Sequence, residues 1–168
     1  MLLGSVPNNV NNSSDVETLI LQLIVQQRYA EVYELLMHQQ SPSTSALYNT
    51  ALCLHWVGNF QGALSQLERI QLKPEVKMTN PLNAYADYKV IKNKQNQTAD
   101  YLHGISEAYV HTFPYHINDA IVRLKIDCWL QLGDYAKVIT AAMPMAHKGY
   151  KNITDALILV NKANDKQL

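Results

Sequence analysis

Residues 53–64 read CLHWVGNFQGAL, and residues 128–139 read CWLQLGDYAKVI. A shift of 75 residues superposes Cys53 on Cys128, Val57 on Leu132, Gly58 on Gly133, Asn59 on Asp134, Phe60 on Tyr135 and Ala63 on Val138. A third copy lies upstream. QRYAEV at 27–32 aligns with GNFQGA at a shift of 31, pairing Tyr29 with Phe60, Val32 with Ala63 and Leu36 with Leu67. The shared pattern describes two helices and the turn between them. Glycine follows the first helix, where a left-handed backbone is cheap for it. Asn or Asp then caps the second helix. The aromatic one residue later packs back between the helices, and the small residue three further on lets them approach. Each hairpin leaves an apolar face that the next hairpin must cover, so the units are expected to stack.

The rest of the chain agrees with helices. Strand-like alternation is hard to find, and the six glycines mostly end apolar stretches. Ser14 with Glu17 has capping-box spacing, Ser41-Pro42 and Asn80-Pro81 each place a cap before a proline, and Thr154-Asp155 precedes ALILV. Pro114 separates two helical runs. The predicted helices are 15–26, 29–40, 44–57, 60–72, 81–94, 98–111, 117–132, 135–147 and 154–164. Short joints make sequence neighbours antiparallel. The Asn/Ser-rich residues 1–13 read as a flexible lead-in to a single domain over 14–168. One domain also suits 168 residues.

Residues 45–74, SALYNTALCLHWVGNFQGALSQLERIQLKP, resemble one tetratricopeptide repeat. Leu47, Ala51, Leu54, Ala63, Leu67 and Pro74 fill the family's places, with Gly58-Asn59-Phe60 at the turn. Residues 119–147 resemble it through Val122, Trp129, Gly133-Asp134-Tyr135 and Val138, and 15–40 through Leu19, Leu23, Tyr29, Val32 and Leu36. Residues 81–111 show only a helix pair around the loop KNKQNQ, longer than the family period of about 34 residues. The resemblance implies an all-α, right-handed superhelical solenoid of about nine helices in antiparallel hairpins. It also implies a non-enzymatic scaffold, adaptor or chaperone that binds a peptide or protein segment on its concave face.

Carried over by position, the groove residues are Tyr48, Asn49, Leu52, His55 and Trp56 in the 45–74 copy. They are Arg123, Asp127, Leu130 and Gln131 in the 119–147 copy, and Glu17, Leu21, Ile24 and Val25 in the first. Trp56 is either a groove anchor of the hot-spot type or core between hairpins. Some family members clamp a C-terminal carboxylate with Lys and Asn. Here Glu17 and Leu21 stand where the preceding helix would supply them, so no such clamp is implied.

Composition narrows the partners. Lys+Arg and Asp+Glu are both 14, which disfavours a polyanion such as nucleic acid held by bulk charge. No run approaches the roughly 18 apolar residues of a membrane span. No secretory signal is visible, so a cytoplasmic protein is the default expectation. Cys53 and Cys128 lie in apolar runs and make no disulfide framework. Gly-rich phosphate loops, HExxH, CxxC and GxSxG are absent, and no cofactor, metal or catalytic residue is assigned. Two alternatives stand beside the binding module. One is a helical-scaffold enzyme or small-molecule or metal binder with a pocket near His111, Tyr115 and His116. The other is a homodimer into which the 154–168 helix docks.

Overall fold

The computed structural model describes residues 13–72 and 85–165. Nine α-helices form among the described residues, which contain no strand. They are α1 (Ser13–Val25), α2 (Tyr29–Met37), α3 (Thr44–Trp56), α4 (Phe60–Glu68), α5 (Ala86–Asn96), α6 (Glu107–Thr112), α7 (Pro114–Gln131), α8 (Tyr135–Ala142) and α9 (Lys151–Asp165). Short 3-10 helices cover Asp100–Leu102 and Met143–Lys148.

The turn seen three times in the sequence has one geometry. The Gly58 N–H donates to the His55 carbonyl and the Asn59 N–H to Leu54; Gly133 and Asp134 donate to Leu130 and Trp129 in the same way. These are the paired bonds of a Schellman motif, and they satisfy the last carbonyls of the preceding helix. Asn59 and Asp134 then accept from the Gly62 and Lys137 N–H groups and cap α4 and α8. In the first turn Gln27 and Arg28 donate to Ile24 and Leu23, so the pattern recurs without glycine. Gln27 holds φ +59°, beside +82° at Gly58 and +73° at Gly133. Arg28 supplies no side-chain cap.

The first turn therefore sits in a strained conformation that its residues do not favour locally. Gln27→Gly is expected to stabilise the protein by about 1 kcal/mol, since a side chain in the left-handed region costs about that much. Thermal melting should rise by roughly 2–4 °C. A lower melting temperature would show that Gln27 makes a contact worth more than its strain.

Helices pack with their chain neighbours from α1 to α4, and again from α7 through α8 to α9. The join is α4 against α7, which leaves α5 and α6 outside the row. The core follows the joins. Ile20, Ile24, Val32, Leu36 and Cys53 fill the space among α1, α2 and α3. Ala51, Leu64, Leu67, Ile117 and Leu124 fill the centre, and Ile126, Val138, Ile153 and Val160 the α7–α9 end. The small residues of the repeat, Ala63 and Val138, are wholly buried. Phe60 and Tyr135 pack against these clusters, as the turn pattern requires. Burying each large aliphatic side chain contributes roughly 1.5–3 kcal/mol. Cys53 and Cys128 are buried free thiols, and desolvation pushes both up to about 12.

Several predicted elements differ. Ser14 and Glu17 do not close a capping box; α1 begins at Ser13, and Glu17 reaches across to other elements. Helix α8 stops at Ala142, where Met143-Pro144 tightens the chain into a 3-10 helix ending on Gly149 at φ +71°. Helix α9 begins at Lys151 rather than at Thr154, whose hydroxyl bonds back to the Tyr150 carbonyl. Pro114 does separate two helices, and it stands at the first position of α7. Residues 1–12 and the Pro74 and Asn80-Pro81 signals lie outside the described residues. The largest difference is the stretch predicted as a helix over 98–111. Only Glu107–Thr112 is α-helical, while His103 and Ser106 have extended backbone.

Candidate functional site

Residues 98–107 cross the face made by α1, α3 and α7, and side chains of those helices hold their main chain. The Asn49 side chain donates from Nδ2 to the Ile105 carbonyl at 2.9 Å and accepts at Oδ1 from the Ile105 N–H at 3.0 Å. One amide thus satisfies both the donor and the acceptor of a single residue's main chain. The Tyr48 hydroxyl donates to the Tyr101 carbonyl. Glu17 accepts from the Glu107 N–H and from the Ser45 hydroxyl, while Glu107 accepts from the Ser45 N–H. Both carboxylates thus lie at helix starts, where unpaired N–H groups favour negative charge. Gly104 lies close against α1: a Cβ there would stand 2.6 Å from Ile24 Cδ1 and 3.0 Å from Leu21 Cδ2, so these side-chain ends would have to shift.

Arg123 anchors the other end. Its Nη2 donates to the Thr98 carbonyl at 2.9 Å, Nη1 to Asp100 at 2.5 Å, and Nε to Asn152 Oδ1 at 2.9 Å. The guanidinium lies 4.5 Å from the Tyr101 ring centre and 4.3 Å from that of Tyr150. Cation–π attraction strengthens such a sandwich when water is excluded. Asp119 lies beside it, accepting from Lys148 Nζ at 2.7 and 2.9 Å and from the Tyr150 hydroxyl at 2.7 Å. Burial holds the Tyr48, Tyr101 and Tyr150 phenols above their ordinary range, so they act as neutral donors.

The residues assigned to a peptide groove therefore divide. Tyr48, Asn49, Leu52 and Arg123 are buried, and the chain's own 98–107 segment occupies the bonding groups of Tyr48, Asn49 and Arg123. Leu21 and Ile24 abut Gly104. His55 and Asp127 bond one another at 3.1 Å, tying α3 to α7. Trp56 is 59% exposed and stacks on Tyr29 at 4.8 Å between ring centres. Gln131 and Val25 are also exposed. His111 and His116 do not converge: His111 is exposed near Glu107, whereas His116 lines a cavity beneath α5 and tilts against Phe113. No group of three metal-ligating side chains occurs among the described residues.

Sequence reasoning missed Tyr101, Asp119, Lys148 and Tyr150, the residues gathered around Arg123. Gly104 and Ser106 carried the available signal. Glycine inside a supposed helix is a poor helix former, and Ser106 three residues before Tyr109 has N-cap spacing, which the structure uses.

No helix among the described residues is long and apolar enough to cross a membrane. No family model matches the chain, and comparison with curated proteins and with solved structures returns no match.

Proposed function

We propose that this chain is a non-enzymatic protein-interaction module built from tetratricopeptide-like hairpins. On this reading the hairpins α1–α2, α3–α4 and α7–α8 form a right-handed superhelical array closed by α9. Its concave face is the one that carries residues 98–107. The recurrence of one Schellman turn with one hydrogen-bond pattern supports the repeat. The Asn49 contact supports peptide binding, since that face holds main chain through both a donor and an acceptor.

With that face filled by the chain itself, the open docking surface is the end where the first two turns lie. Trp56 on its stacked partner Tyr29 is the observation that carries the reading. Val25, the last residue of α1, and Val57, which follows Trp56 in the chain, are 84% and 68% exposed. An exposed aromatic pair of this kind has the composition of an interface anchor. It suits a protein segment offering an apolar side chain.

Trp56→Ala is expected to keep helicity and to change stability by no more than about 1 kcal/mol, the worth of an aromatic pair. It should also abolish capture of proteins that the parent chain retains, compared side by side by mass identification. Equal capture by parent and variant would refute this docking surface. Light scattering over a range of concentrations covers the remaining occupant, a second copy of the chain.

A further inference from the structure

A cavity of about 340 Å³ opens between α5, α7 and the 100–109 segment, beside the Arg123 sandwich. We propose that it binds a small oxyanion, a phosphate or carboxylate group, between Lys92, His116 and the Tyr109 hydroxyl.

The argument is a count of acceptors and donors. Both cavity carboxylates are already engaged. Asp100 accepts from Arg123 on one oxygen and from Gln95 on the other, and Asp119 accepts from Lys148 and Tyr150. What remains without a hydrogen bond or ion pair among the described residues is donor-rich. Lys92 forms no ion pair there, and its Nζ lies 5.7 Å from the Tyr150 ring centre. Neither the His116 ring nor the Tyr109 hydroxyl has a hydrogen-bond partner among the described residues, though both residues line the cavity. The charges point the same way. Among the described residues, Arg123 pairs with Asp100 and Lys148 with Asp119, and these are the charges that act on Lys92, which leaves a cationic excess at the Lys92 side. Burial, reinforced by the Lys92 charge, keeps the His116 imidazole below its ordinary range and so neutral, able to donate one hydrogen bond. An oxyanion supplies the acceptors and the charge that this set lacks. The volume lies at the small end of ligand pockets, which suits a metabolite rather than a peptide.

The test titrates inorganic phosphate, and separately acetate, at ionic strength held constant with chloride. The His116 ring resonances and the melting temperature are followed. A saturable shift and a matching rise in melting temperature are expected for at least one anion. A response to phosphate alone assigns a phosphorylated ligand, and a response to acetate alone a carboxylate. Lys92→Gln should weaken binding about tenfold or more, as loss of a charge-assisted bond does, while Lys92→Arg retains it. His116→Gln, on a different helix, should also weaken the melting response, so the result does not depend on how α5 tolerates substitution. Absence of a saturable response to both anions would overturn the proposal, and so would a response unchanged in both Lys92→Gln and His116→Gln.

Discussion

Arg123→Met is expected to lower the unfolding free energy by about 3 kcal/mol, the low end of the range for removing one partner of a buried ion pair. The low end applies because the Asp100 side chain is 25% exposed, whereas that of Arg123 is 3% exposed. Methionine keeps most of the apolar stem but leaves the Thr98 carbonyl and Asn152 Oδ1 without their donor and Asp100 with Gln95 alone. It also vacates the charge between the Tyr101 and Tyr150 rings. Arg123→Lys should recover little, because an ammonium cannot reach three acceptors in a fork or stack flat between two rings. Denaturant unfolding is the measurement, with midpoint and slope both recorded. A loss below about 1 kcal/mol would mean that the residues around Arg123 re-form their bonds without it. For a domain stabilised by about 5–15 kcal/mol, the expected loss is a large share.

Asn49→Ala should cost a comparable amount, about 3 kcal/mol, because it strands both the N–H and the carbonyl of Ile105 in a buried place at about 1–3 kcal/mol each. Hydrogen exchange separates this loss from a general loosening. The Ile105 amide and its neighbours over 101–107 should lose protection first, and the α8–α9 core last. If all amides lose protection together, the segment is integral to a single cooperative unit rather than seated on the helices. Asn49→Asp sharpens the test. An ionised carboxylate there can accept from the Ile105 N–H but faces the Ile105 carbonyl with like partial charge, and burial penalises the charged form. The introduced carboxyl's pKa in the folded state should therefore rise above the unfolded value. The folded state then binds the extra proton, so this variant should gain stability as pH falls toward about 4, relative to the parent.

Much of the scaffold is written locally. Two of the three turns repeat because Gly58 and Gly133 tolerate positive φ and Asn59 and Asp134 cap the helix that follows. Those effects act within a few residues, so a short window of sequence contains them. Ala63 with Val138, and Cys53 with Cys128, keep corresponding buried places for the same reason. The first turn shows the limit. Gln27 and Arg28 lack both signals and are exposed, yet their backbone takes the same form through the same pair of bonds to Ile24 and Leu23.

The segment over 98–107 was not readable as it stands in the structure. Its composition permits a helix, and a helix would have satisfied its peptide groups locally. Instead Asn49, Tyr48 and Arg123 satisfy them from 56, 53 and 25 residues away. Periodicity carries no record of such partners. The same bonds explain why Tyr48, Asn49 and Arg123, assigned by position to a groove, are already engaged.

Local chemistry set the helices and the capped turns at Gly58 and Gly133, since each depends on backbone preferences and bonds between residues a few places apart. Which side of those helices meets solvent was settled at longer range. It followed from a buried amide and a guanidinium that found their best partners in the main chain of a distant stretch, leaving Trp56 exposed on its stack with Tyr29.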